Sequence, residues 1–156
     1  IMGPGVKRTG DVVQVIRSST ETRATGSTAM PADNSIPQIT EGDEILTATV
    51  VPTSALNWMY FKFRAPLYTG GAEYRNCALF QDAIANALRA AAAYGSAGQV
   101  QPISLTHRQL SGTTSPVVYR IRVGCNAAAA WELNGAAGQL FNGVSDASLE
   151  VTEVFA

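Results

Sequence analysis

From Asn57 to Ala65 the chain alternates strictly: Met59, Phe61 and Phe63 fall on one side, and Trp58, Tyr60, Lys62 and Arg64 on the other. Successive side chains of a strand point to opposite faces of a sheet. The pattern therefore predicts a half-buried strand whose outer face carries rings and cations. Val117, Tyr119, Ile121 and Val123 repeat it against Val118, Arg120 and Arg122. Asp11 to Arg17 reads as the first strand, with Val13 and Val15 opposing Val12 and Ile16, and Glu44 to Val51 as another, ended by Pro52.

Between these, Ser18 to Pro37 is rich in Ser, Thr, Asp and Asn and holds Pro31 and Pro37. It reads as loop with at most a short edge strand, because proline cannot donate to a ladder. Val100 to Gln109 and Pro116 to Gly124 are strands flanking Ser111 to Ser115, a polar loop of hairpin type. Ala128 to Leu133 and Ser148 to Phe155 follow, separated by the turn signals Asn134-Gly135 and Asn142-Gly143.

One segment reads two ways. Leu79 to Ala93 is made of good helix formers, with Phe80, Ile84 and Leu88 at helical spacing. Tyr74 to Gln81 also reads as a strand, with Gln81, Asp82 and Asn86 able to turn the chain into a second one. Pattern alone leaves both open. About nine strands with turns every ~8–12 residues predict an all-β chain, a β-sandwich or jelly roll. Ile1 to Gly10, with three Gly and one Pro and no periodicity, reads as a linker from an upstream segment, and residues 11–156 as one sandwich domain.

Composition narrows the function. The chain has 156 residues, 11 basic and 12 acidic, and no basic run, which argues against non-specific nucleic-acid binding. Charged residues are only 15%, against roughly 25% in ordinary soluble domains, so part of the surface is expected to be hidden in an oligomer. No apolar stretch reaches the ~18 residues that read as a membrane-spanning helix, so membrane insertion is not expected.

Candidate chemistry is sparse. His107 is the single histidine, which removes any metal site built on several histidines; no metal or cofactor is expected. It follows Ile103 and Leu105 on one strand face and reads as a packed or rim residue rather than a general base. No G-x-S-x-G elbow and no phosphate-binding glycine motif occurs. Glu41, Asp43 and Glu44 form an acidic cluster; a solvated turn is the simpler reading than a carboxylate pair for glycoside hydrolysis. Cys77 and Cys125 read as buried thiols or as a single bridge between neighbouring strands. The outward aromatics are the best lead, because rings stack on sugar faces and anchor protein interfaces. Trp58 and Tyr60 are candidates for a subunit interface.

Ile36-Pro-Gln-Ile-Thr-Glu-Gly-Asp-Glu-Ile-Leu46, then Val51-Pro-Thr-Ser-Ala55, then Ala78-Leu-Phe-Gln-Asp82 with Asn86-Ala-Leu88, resemble in their order the C-terminal domains of tailed-bacteriophage virion fibres. So do the Leu105-Thr-His107 strand, the Ser111-Gly-Thr-Thr hairpin, Phe141-Asn-Gly143 and the terminal strand from Ser148 to Glu153. The resemblance implies a jelly-roll domain in a homotrimeric tail or head fibre or spike, exposed on a phage or phage-like particle and joined to other virion proteins through its N-terminal segment. It implies host attachment through surface polysaccharide, without enzymatic residues. It also implies that Ala78 to Ala90 is strand, turn and strand. A structural capsid-decorating or fibre-tip protein without its own receptor is the alternative. The alanine runs Ala90 to Ala93 and Ala127 to Ala130 depart from the more polar loops of that pattern. Carbohydrate is expected at loop tips far from the N-terminus, on Tyr94, His107, Arg108 and Trp131: rings for a pyranose, a donor fork for hydroxyls or uronic carboxylates.

Overall fold

The computed structural model describes residues 5–156. Ten strands form two sheets: β1 (Val12–Thr20), β2 (Ala24–Gly26), β3 (Asp43–Val50), β4 (Trp58–Thr69), β5 (Glu73–Gln81), β6 (Arg89–Gly95), β7 (Gln99–Leu110), β8 (Val117–Cys125), β9 (Trp131–Leu133) and β10 (Ala147–Val154). The architecture is an antiparallel, jelly-roll-like β-sandwich.

The larger sheet is organised on β4. One edge of β4 pairs along its whole length with β7, from Trp58–Leu110 to Thr69–Gln99. The other edge is shared end to end by β10, which pairs with residues 58–64, and β9, which pairs with residues 67–69. β1 flanks β10, and β2 flanks β9. The smaller sheet runs β3-β8-β5-β6. The alternation read in the sequence sets the inner faces: Met59, Phe61, Phe63 and Leu67 of β4 and Leu105 of β7 meet Leu79, Tyr119, Ile121 and Val123 of the other sheet. Burying each large apolar side chain contributes about 1.5–3 kcal/mol. Phe61 meets Tyr119 edge to face, with ring centroids 4.6 Å apart.

Several expectations change. The segment from Leu79 to Ala93 forms no helix: β5 and β6 pair antiparallel, from Glu73–Gly95 to Leu79–Arg89, and Asp82 takes a left-handed φ of 51° in the turn between them. Pairing and the burial of Phe80 against Met30 override helix propensity. The stretch from Ser111 to Ser115 is not a hairpin. β7 pairs with β4 and β8 with β3 and β5, so this loop carries the chain from one sheet to the other. It is fixed by Ser111, whose backbone N–H is donated to Asn57 O and whose hydroxyl is donated to Ser54 O. A bulge between Val12 and Gln14 brings Val12 to the outer face beside Val15, so the alternation read there slips by one. The strand read from Ala128 is only Trp131–Leu133.

Of the segment read as a linker, Ile1 to Pro4 lie outside the described residues. Within them the Gly10 N–H is donated to Phe155 O, and the Phe155 N–H to Asp11 O, which ties the start of β1 to the end of β10. The Cys77 and Cys125 thiols are free and buried. Residues 27–42 cross the outer face of the smaller sheet, where Met30 and Ile39 cover Ala78 and Phe80.

Candidate functional site

Outward-facing residues of β4 form cross-strand rows with β10, β1 and β7. The first row is Val12, Val154, Trp58 and Leu110; the second is Val15, Thr152, Tyr60 and Arg108; the third is Arg17, Glu150, Lys62 and Thr106. This face is therefore apolar at one end and cationic toward its middle. Arg108 lies over the Trp58 ring, 4.4 Å from the centroid, a cation–π contact worth about 0.5–1 kcal/mol at an exposed site.

An open cleft of about 380 Å³ lies beside this stack, lined by Tyr60, Lys62, Thr106, His107 and Arg108, and by Arg89 from the start of β6 in the other sheet. That volume falls in the ~300–1,000 Å³ range of small-ligand sites. A second cleft of about 360 Å³ shares Lys62 and Thr106 with the first and continues past Arg64, Ser148 and Glu150. The two make one trough along β4. From Tyr60 to Arg64 it runs roughly 14 Å at ~3.4 Å per residue.

His107 takes part differently from its neighbour. It is half-buried on the inner side of β7, its ring stacked on Phe61 at a centroid distance of 5.8 Å and its Nε2 3.3 Å from Gln109 Oε1. Gln109 in turn donates to Gln81 Oε1. The imidazole is a packed rim residue that borders the cleft.

The structure brings His107 and Arg108 together with Trp58 and Tyr60, but it does not assemble the four residues expected to bind carbohydrate. Trp131 is 1% exposed; its indole N–H is donated to Asp43 Oδ2 and its ring is part of the core. Neither ring face is open to a sugar, so the reading of Trp131 as a stacking residue is corrected. Tyr94 is 61% exposed but lies on the smaller sheet, edge to face with Tyr74 at 5.1 Å. His107 and Arg108 lie within β7, a few residues before its end at Leu110 and opposite Phe61 and Tyr60, rather than at a loop tip. Arg89 was not among the expected residues. Only the register that pairs it with Leu79 places it at the end of β6 facing this cleft.

The acidic cluster is structural. Asp43 accepts hydrogen bonds from the Thr28 N–H and hydroxyl and from Trp131; Glu41 accepts from the Gln38 N–H; Glu44 pairs with Arg120 at 3.2 Å. No group of His, Cys, Asp or Glu suited to a metal occurs among the described residues.

Compared with known proteins, the chain matches no family model and no curated sequence. Similar solved structures include the sugar-binding EclA C-terminal domain, at 14% identity over 73% of this chain and 74% of that one, TM-score 0.42. Murine APRIL aligns at 6% identity over 90% and 98%, TM-score 0.46, and PRD1 vertex protein P5 at 9% over 94% and 100%, TM-score 0.45. No residue and no ligand is carried across from any of them.

Proposed function

We propose that this chain is a non-enzymatic receptor-binding domain of a virion fibre or spike, homotrimeric, which attaches to host surface polysaccharide through the outer face of the larger sheet. The observation that carries the reading is the Trp58–Arg108 stack beside Tyr60, opening onto a trough long enough for several sugar units. The Tyr60 ring on a rigid sheet offers a pyranose a surface beside the cleft, and the neighbouring donors suit hydroxyls. The ordered fibre-like motifs from Ile36 to Glu153 support the setting on a particle.

The apolar row of Val12, Val154, Trp58 and Leu110 is the part of the face that calls for cover, with Val12 61% and Leu110 47% exposed. In this reading a neighbouring copy covers that row and leaves the cationic part of the trough open at the subunit border. Light scattering at micromolar concentration is expected to give a trimer, and a monomer refutes the assembly. Adsorption to capsulated and capsule-deficient cells tests the function. Tyr60→Ala and Arg108→Ala are each expected to weaken adsorption about fivefold, for contacts of ~1 kcal/mol. Equal adsorption to both cell types, or variants that bind as the parent does, would refute it.

A further inference from the structure

The geometry points to an anionic polysaccharide, one carrying carboxylates along its chain, as the ligand of the trough. This rests on the polysaccharide reading above and specifies its chemistry. The basis is how the cations of the chain are used. Arg17 and Arg64 both pair with Asp146, Arg23 with Glu132, and Arg120 with Glu44. Arg122 donates to the carbonyls of Glu41 and Gly42, and Arg75 to those of Glu73, Ser96 and Gln99. Lys62 and Arg89, like Lys7 near the N-terminus, make no hydrogen bond or ion pair among the described residues, and the interaction of Arg108 there is its contact with the Trp58 ring; Lys62, Arg89 and Arg108 are the ones that converge. These three line one cleft, and no carboxylate lines it with them.

That arrangement leaves the positive charge of the cleft without a lining carboxylate. Three like charges around one concavity repel, and in a chain with 11 basic and 12 acidic residues nothing in the composition forces them together. Glu150 is the cross-strand neighbour of Lys62, yet it lines the adjoining cleft and forms no ion pair with it. A neutral sugar would use the donors but leave the charge uncompensated. A uronate presents a planar carboxylate that a guanidinium fork holds with two parallel bonds, while the ring rests against Tyr60. Residues from both sheets contribute, so the site exists only once the sandwich has closed.

The assay is equilibrium binding of the full chain to immobilised polygalacturonate, with neutral dextran, dextran sulfate and duplex DNA as comparison surfaces. Polygalacturonate should bind best, and its affinity should fall about tenfold or more between ~50 and ~500 mM salt, as exposed charges are screened. Lys62→Ala, Arg89→Ala and Arg108→Ala should each weaken it several-fold, Lys62→Arg should not, and Arg89→Glu should weaken it more than Arg89→Ala. All of these side chains are exposed, and unchanged urea midpoints confirm that each variant folds. Dextran bound as tightly as polygalacturonate, without salt dependence, overturns the anionic ligand and leaves the polysaccharide reading standing. Binding to dextran sulfate or DNA equal to or above that to polygalacturonate marks simple ion exchange and also overturns it. If no surface binds and capsulated and capsule-deficient cells adsorb the protein equally, both readings fall together; if no surface binds but only capsulated cells adsorb it, the anionic ligand falls and the polysaccharide reading stands.

Discussion

Glu153 has no exposed surface and no cationic partner among the described residues, yet its carboxylate is hydrogen-bonded on both oxygens. Oε1 accepts from the Thr53 N–H at 2.8 Å, the Thr53 hydroxyl at 2.8 Å and Asn57 Nδ2 at 2.7 Å; Oε2 accepts from Gln14 Nε2 at 2.5 Å. Burial alone would raise its pKa, but the bonds from Asn57, Gln14 and Thr53 together outweigh burial and hold the carboxyl below its ordinary value. The ionised form is therefore the one the fold favours. Glu153→Gln keeps the shape and one acceptor but turns an NH2 toward Gln14 Nε2. The Gln14 amide cannot flip without losing its bond to Val51 O. Charge-assisted bonds of about 1.5–3 kcal/mol become neutral ones of about 0.5–1.5, while the amide costs less to bury, which leaves an expected loss of roughly 1–3 kcal/mol. Because the folded pKa is depressed, this stabilisation is fully present above the unfolded carboxyl value and is lost as pH falls through the lower folded one. Urea unfolding of both proteins from pH 7 down to about pH 3 should show a gap at neutrality that closes on acidification, with unchanged m-values. A gap that stays constant with pH, or a Gln variant more stable at pH 7, would refute the carboxylate's role.

Three further outcomes follow from buried groups. Arg75→Met should destabilise the protein by about 2–4 kcal/mol, since three carbonyls lose a buried donor; Gly95→Ala should act in the same direction, because its methyl would meet the Arg75 guanidinium, and denaturant midpoints read both. Burial pushes the Cys77 thiol up to about 12 and the Cys125 thiol up to about 11, so alkylation at pH 8 followed by mass spectrometry should label neither in the folded protein and both after unfolding. Trp131→Phe should cost about 1–2 kcal/mol through the lost bond to Asp43 and leave glycan binding unchanged; weakened binding in a folded variant would restore Trp131 as a ligand residue.

The strands legible in the sequence were those with one wet face. Met59, Phe61 and Phe63 against Tyr60, Lys62 and Arg64 declare both the strand and its orientation, and in the structure the first set is buried and the second exposed. β5 is different: residues 75–80 are all buried, because the loop of residues 27–42 covers its outer side, so no alternation was available to separate strand from helix. The sheet crossover at Ser111 was illegible for another reason. A polar loop between two alternating strands reads the same whether they pair with each other or with β4 and β3. The Trp131 misreading has a local cause. Four alanines precede it, and nothing in the text marks Asp43, 88 residues away in sequence, as the partner that draws the indole inward. Arg89 needed the register, since only pairing with Leu79 shows which end of β6 it occupies.

The division of labour among charges explains why the candidate site lies on the larger sheet and not at the loop tips. The tips are committed to holding the sandwich shut: Glu153 anchors residues 53–57, Arg75 ties down residues 96–99, and Asn134 donates to Thr20 O and Thr22 O. Loops locked in this way gain rigidity, but their polar groups are spent within the fold. The outer face of β4 carries less of that duty, because the β4 backbone is paired on both edges, by β7 on one and by β10 and β9 on the other, and its inner side chains supply the burial. Arg64 there is paired with Asp146, but Lys62, and Arg108 nearby on β7, have no carboxylate partner among the described residues, the condition under which the proposed site would take an external anion. Arg89 reaches the same cleft from the other sheet, where its own strand needs only backbone pairing with β5. A surface whose cations are unpaired in the free protein can discriminate by charge, because binding supplies the compensation that the fold withholds.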